Sequence, residues 1–409
     1  MKKYIRQTRS LSVLLILSVM FSYSSYAQQY DSVFTKEIAP GIIHKRVVDV
    51  KDTIIANILR IDLKERQYTL KAAKAAGNLL GRKKTSEIVS SMQEAGYNVI
   101  AAVNSDFFNM KTGEVENNMV IDGEFLKAVT ITDSPFDLFN NIHSQFALTD
   151  DNRPMIDRFF FKGELIVPSK KVYKISRINS VSDSNSITLY NHFQGNATPQ
   201  LPESWSVKEF QLVPVKIKAD TNIFKVSKVY DKKGSNPIEN DRSLVLSVNN
   251  SVLKNIQDNI GENDTVKIIS QRIPGGSSIK TLIGGWPKIV TNGRNIAHDA
   301  DWLEGTFPKF SKEKHPRTGI GFTEDQSALF LITVDGRQES SSGVSLETFA
   351  DIMLKEGIYQ GLNFDGGGST TMVINGKIVN HPSDKAGERP VGNCLLLIQD
   401  STKITGSGK

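Results

Sequence analysis

The chain has 409 residues, a formal charge of +6 and 39% hydrophobic residues, enough for one large globular unit or two modest ones. Four of its positive charges (Lys2, Lys3, Arg6, Arg9) precede residue 28; removing them lowers +6 to +2, which leaves nothing in support of a nucleic-acid surface, since that needs a concentrated basic patch. Cys394 is the only cysteine, so no intrachain disulfide can form, and the apolar run from Cys394 to Ile398 reads as a buried strand with a structural thiol.

Residues 1–27 read as an export signal. A basic start leads into an apolar core, Leu11 to Phe21, that is too short to span a bilayer. Ser25 and Ala27 then place small residues at −3 and −1 of a cleavage site. The protein is therefore expected in the periplasm or outside the cell, with no stable membrane insertion after cleavage. Residues 28–84 should form a strand-rich region packing on the core. Residues 85–400 should form the main domain, with a β-rich elaboration at about 150–275 and a frayed tail at 401–409.

Period-two and β-branched runs predict strands at 54–61, 68–72, 99–103, 244–248, 266–269 and 329–334. Helices are expected at 85–95 and 345–356. In the second, Leu346, Phe349, Ala350, Met353 and Leu354 fall on one face and Gly357 supplies the stop. The fold class is α+β: a strand-rich chain with a mixed β-sheet core and a few flanking helices.

Each helix heads a similar passage. GYNVIAAVNSDFF leads to NNMVIDGEF, and GIYQGLNFDGGG leads to STTMVINGK. Both run helix, glycine, apolar strand, Asn-x-Asp, loop, and a hairpin turning on Asp122-Gly123 or Asn375-Gly376. Two equivalent units are expected, bringing Asn104/Asp106 and Asn363/Asp365 to the ends of neighbouring strands.

Gly366, Gly367 and Gly368 follow Asp365 directly, and three glycines in a row imply close approach of something to the backbone. A tight turn, a phosphate, a cation and a sugar all fit. The Lys-Ser/Thr ending of a P-loop is missing, whereas glycine amides with Ser369 and Thr370 can cradle an anion. Arg317 in His315-Pro316-Arg317-Thr318, Arg337 at a strand end and Arg389 before the last strand offer forks for phosphate oxygens. Gly113-Glu114 adds a carboxylate beside Asn117 and Asn118. Six histidines without metal-ligand spacing give a zinc site little support.

Together VNSDFFN, NMVIDG, GGWPKIVTNG, HPRTGIGF, VDGR, GLNFDGGGSTTMVINGKIVNHPSD and ERPVGN resemble the phosphodiester glycosidase family over roughly residues 95–400. The resemblance implies hydrolysis of a sugar-1-phosphodiester at the sugar C1–O bond, with N-acetylglucosamine as a candidate sugar. It implies site residues Asn104, Phe108, Glu114, Arg317, Thr318, Asp335, Gly336, Asp365, Gly366, Gly367, Gly368, Ser369 and Arg389. Asp106 and Arg337 depart from the eukaryotic pattern, which has glycine and glutamine there.

Phosphate is already a good leaving group, so charge placement matters more than strong acid catalysis. Glu114 and Asp365 are expected as the carboxylate pair, with Asn104 and Asp335 positioning the sugar or a partner side chain. Arg317, Arg389 and the amides of residues 366–368 are expected to hold phosphate, with Thr318, Ser369, Asp106, Phe108, His315 and Arg337 around the substrate. No cofactor is required on this reading. A competing reading has Asp106, Asp335 and Asp365 hold a calcium or magnesium ion for P–O cleavage, and another has a non-catalytic glycan-binding protein using Trp286 or Trp302.

Overall fold

The computed structural model describes residues 31–400 except 133, 135, 136 and 219; the expected export signal and the tail at 401–409 lie outside them. The fold is α+β, built on two facing sheets with a helix against each outer surface. One sheet has eight strands and runs from the Ser32–Ala39 edge through Ile54–Asp62, Ala328–Val334 and Arg317–Phe322 to Gln360–Asn363 and the Lys288–Thr291 hairpin. The other has five strands, with Met372–Ile374, Asn98–Asn104, Asn393–Gln399 and Tyr68–Lys74 as consecutive neighbours.

These strands form as the alternation of their side chains demands. Leu59, Ile61, Leu329, Leu331, Ile320 and Leu362 point inward from the first sheet, and Leu70, Ala101, Val103, Leu395 and Leu397 meet them from the second. The opposite face of the first sheet buries Ile58, Phe330 and Ile332 under Leu346, Phe349 and Met353 of the Leu346–Lys355 helix. Ser345 caps that helix by accepting from Thr348 N (3.1 Å), and Gly357 (φ +80°) ends it. The second sheet buries Ala102, Leu396 and Cys394 under Ile88 and Val89 of the Thr85–Glu94 helix. Cys394 is buried on a strand, and burial pushes its thiol well above the usual range.

Residues 160–273 supply a further eight-stranded sheet, largely antiparallel, whose core includes Phe161, Leu189, Phe210, Phe224, Leu246 and Val266. A five-stranded sheet containing Met119–Ile121 and Ile279–Gly284 connects it to the main sandwich. Among the described residues no helix is long and apolar enough to cross a membrane.

The two echoing passages meet, but across the sandwich. Asn98–Asn104 lies in the five-stranded sheet and Gln360–Asn363 in the eight-stranded one. Asn104 Nδ2 donates to Asp365 O (2.6 Å), and Asp365 N donates to Ser105 O (2.7 Å). Both hairpins form on left-handed pairs, Asp122-Gly123 and Asn375-Gly376. Their pairing differs. The second hairpin joins the first passage's strand, Met372 opposite Val103, while the first hairpin joins Ile279–Gly284. Equivalence therefore holds for helix, strand and Asn-x-Asp turn and stops at the hairpins.

Candidate active site

The turn after Gln360–Asn363 forms the floor of a cleft of about 320 Å³, a size typical of small-ligand sites. Asp365 and the three glycines line it with Arg317, Arg337, Arg389, His315 and Phe108. The sequence thus brought nine expected residues into one concavity.

The glycines act through what they allow to approach. A Cβ on Gly366 would sit 2.6 Å from Pro316 O, and one on Gly368 would overlap Arg389 Nη2 and Asp384 Oδ1. Gly367 has φ +60° and faces the Arg337 guanidinium. The Gly367 amide donates to Pro316 O (2.9 Å), which removes it from the expected row of phosphate-binding amides. The run therefore lets two arginines lie against the backbone, and the cationic side of the cleft is made by side chains.

Each arginine is held differently. Arg389 makes a two-point pair with Asp384, Nε–Oδ2 2.7 Å and Nη2–Oδ1 2.9 Å. Arg317 is 1% exposed; its Nε donates to Val344 O (3.1 Å), its Nη2 to Phe310 O (2.7 Å), and its plane lies 5.0 Å from the Phe310 ring. Burial, reinforced by the charge of Arg337, pushes Arg317 down to about 9, where it still carries its proton at neutral pH. Arg337 touches His315 Nδ1 through Nη2 (3.4 Å), and His315 Nε2 contacts Lys309 O (3.1 Å). Burial first, then the neighbouring arginines, lowers the His315 pKa, so its neutral form fits with the proton on Nε2. Among the described residues neither Arg317 nor Arg337 has a carboxylate partner. Two like charges held together in this way favour an anion.

The carboxylates opposing them are Asp365 and Glu116. Burial pushes Asp365 up to about 7, with Ser369 and Arg389 opposing and Glu116 adding to the rise. Burial also raises Glu116. Glu116 was not expected from sequence; Glu114 was. Asn109 N donates to Glu114 O (2.8 Å) and Glu116 N to Phe107 O (3.0 Å), so residues 107–116 form a short ladder. Glu116 lines the cleft, whereas Glu114 pairs with Lys127 (2.8 Å) in an adjoining groove and stays outside it.

Four other expected residues stand behind the cleft. Asn104 is buried, with Oδ1 accepting from Thr318 Oγ1 (2.8 Å) and Thr371 N (3.0 Å) while Nδ2 holds Asp365 O; Thr318 is equally buried. Both position the Asp365 turn. Asp335 accepts from His381 N (2.9 Å) and Asn380 Nδ2 (3.3 Å) and ties two loops together. Asp106 accepts from Asn117 N (3.2 Å) and Asn117 Nδ2 (2.7 Å), and burial pushes it up to about 7. The cation triad of Asp106, Asp335 and Asp365 does not assemble: Asp106 and Asp335 are engaged separately, away from Asp365, and among the described residues no group of three metal-ligating acids, histidines or cysteines gathers.

The remaining wall is aromatic. Trp286 stacks on Phe310 (4.8 Å), Phe107 meets both edge-on (5.7 and 6.0 Å), and Phe307 borders Phe310 (6.0 Å). Trp286 is only 2% exposed and donates Nε1 to Glu304 O (2.7 Å), so it supports the wall rather than offering an open platform; Trp302 is 78% exposed and does not line the cleft. Phe107, Phe307 and Phe310 carried no clear signal beyond the Phe107-Phe108 doublet.

Residues 216–398 match the family model for phosphodiester glycosidase. Over these residues the chain is similar to that family. Bovine and human N-acetylglucosamine-1-phosphodiester alpha-N-acetylglucosaminidase are 32% and 33% identical to it over 110 residues, 25% of this chain. The chain matches only 20% and 21% of the length of those two enzymes. A Synechocystis crystal structure shares the fold with a TM-score of 0.69 and 17% identity, covering 90% of this chain and 64% of that one. The family match takes in Arg317, Asp365 and Arg389, whereas Glu116 and Phe107 lie before it.

Proposed function

We propose that this chain is an exported phosphodiester glycosidase that hydrolyses a sugar-1-phosphodiester at the C1–O bond. The observation that carries the reading is the cleft itself: two arginines without carboxylate partners stand beside two acids that burial has made weak, along an aromatic wall. The arginines suit phosphate, and the aromatic rings suit the C–H face of a sugar.

In the proposed step the C1–O bond breaks and its electron pair leaves on a phosphate oxygen. Arg317, Arg337 and Arg389 stabilise the charge that develops there. A water oxygen forms the new bond to C1, and its proton passes to a carboxylate. Asp365 and Glu116 are the proposed pair, one facing the oxocarbenium-like carbon directly and the other completing the proton transfer. Asn104, Thr318 and Asp106 position these groups without touching substrate.

N-acetylglucosamine is the first sugar to test, because the bovine and human enzymes are named for it. The test is a panel of α- and β-linked sugar-1-phosphodiesters with products identified by mass spectrometry. Free sugar plus phosphomonoester supports the proposal, and sugar phosphate plus alcohol contradicts it.

A further inference from the structure

The catalytic cleft does not end at Glu116. A larger groove of about 560 Å³ continues from it, and Phe108, Met110 and Glu116 line both. Its far wall is residues 177–183, part of the additional β-rich region, so the groove lies where that region meets the 107–116 ladder. The arginines that suit phosphate are absent from its lining.

Its chemistry differs sharply from that of the cleft. The lining holds three cations (Lys111, Lys127, Arg177) and three carboxylates (Glu114, Glu116, Asp183). Four of these neutralise one another: Lys127 pairs with Glu114 at 2.8 Å, and Arg177 makes a two-point pair with Asp183 at 2.8 and 3.0 Å. Between the pairs stand apolar side chains open to solvent, Met110 at 51%, Ile131 at 39% and Val181 at 76% exposed. A surface of apolar patches beside pre-paired polar groups, with no net charge, matches an uncharged ligand that has both hydroxyls and C–H faces. A chain of phosphates would find no unpaired cation cluster there, and a basic peptide no excess of carboxylates.

We infer that this groove binds a neutral oligosaccharide continuing from the sugar whose C1 is cleaved, so that the substrate is an oligosaccharide-1-phosphodiester and the product a free oligosaccharide. This rests on the reading of the cleft given above. The groove joins the cleft at Glu116 and Phe108, the carboxylate and aromatic side, which is where the sugar lies on that reading. The aglycone would leave past Arg389 and Asp384 instead.

Val181 tests this without disturbing the cleft, because its side chain is largely in solvent and belongs to no catalytic or phosphate-binding group. Methyl phosphodiesters at C1 of N-acetylglucosamine, glucose and mannose would be compared with those of their neutral trimers. The wild-type protein is expected to favour at least one trimer by about tenfold or more in kcat/KM. Both Val181→Arg and Val181→Glu should reduce that preference by about threefold or more, leaving monosaccharide turnover unchanged. Absence of any length preference overturns the inference. So does a gain with Val181→Arg and a loss with Val181→Glu, which marks an anionic ligand.

Calorimetric titration of the phosphate-free trimers gives a readout independent of turnover. Binding that weakens in both variants, with no phosphodiester cleaved, would retain the groove and remove the glycosidase reading. No trimer binding to the wild-type protein overturns the groove whatever the turnover.

Discussion

Asp106 and Asp365 occupy the same place in two echoing passages, and the fold uses them in opposite ways. Asp365 follows a strand of the eight-stranded sheet and lines the cleft with Arg389 and Glu116 around it. Asp106 follows a strand of the facing sheet and spends both oxygens on Asn117. Burial pushes both up to about 7. A raised carboxylate pKa is therefore no mark of catalysis by itself; what separates the two is whether the oxygens are already satisfied and whether the side chain reaches open space.

The strongest way to break the comparison is Asp365→Asn. Turnover should fall by about 10³-fold while the protein stays folded, as judged by circular dichroism and thermal melting. The stability change has a definite sign. A carboxyl raised from 3.8 to about 7 binds its proton more tightly when folded, so its contribution favours folding at low pH and declines as pH rises through that window. Asp365→Asn removes the decline and should melt higher than wild type at pH 8. Asp106→Asn removes the same decline, but its new amide puts a donor against one of Asn117's donors at a cost of about 1–3 kcal/mol, so it should melt lower than wild type at pH 5, where Asp106 is already protonated.

Glu116→Gln should lower kcat by about 10²-fold, whereas Glu114→Gln should stay within a small factor of wild type because Glu114 is occupied by Lys127. Equal losses in the two would return the catalytic assignment to Glu114. Arg389→Gln has a smaller expected effect on rate, about tenfold in kcat/KM, and a characteristic one on pH. Turnover through ionised Asp365 should fall as pH drops below about 7 in the free enzyme. Losing the Arg389 charge that opposes the rise moves this limb to higher pH, and losing Glu116 moves it lower. A limb that ignores both substitutions would place another group in control.

Much of this was legible in the chain. The Leu346–Lys355 helix announced itself through its apolar period, Ser345 and Gly357, because those signals act within a few residues of the backbone they shape. The three glycines were legible as a candidate site only together with Arg317 and Asp365, because a tight turn alone would also account for a glycine run. Glu116 was not separable from Glu114, since which of them faces the cleft depends on how the 107–116 ladder sits against Phe107. Nor could the phosphate-binding amides be judged, because Gly367 is engaged by Pro316, far away in sequence. The sheet at 160–273 was obscured for another reason: Glu209, Gln211 and Ser247 are fully buried on its strands, so polar residues do not mark the solvent face there.

The groove extends the comparison to ligands. The cleft concentrates guanidinium charge against two weak acids, whereas its continuation balances its charges and exposes Met110, Ile131 and Val181. On the proposed function, one region takes the bond that breaks and the other the neutral chain attached to it.

The central claim concerns which bond breaks, and isotope labelling reads it directly. Hydrolysis of a sugar-1-phosphodiester in ¹⁸O-enriched water should place the label on C1 of the released sugar and leave the phosphomonoester unlabelled. Label in the phosphate product would show P–O cleavage and contradict the account.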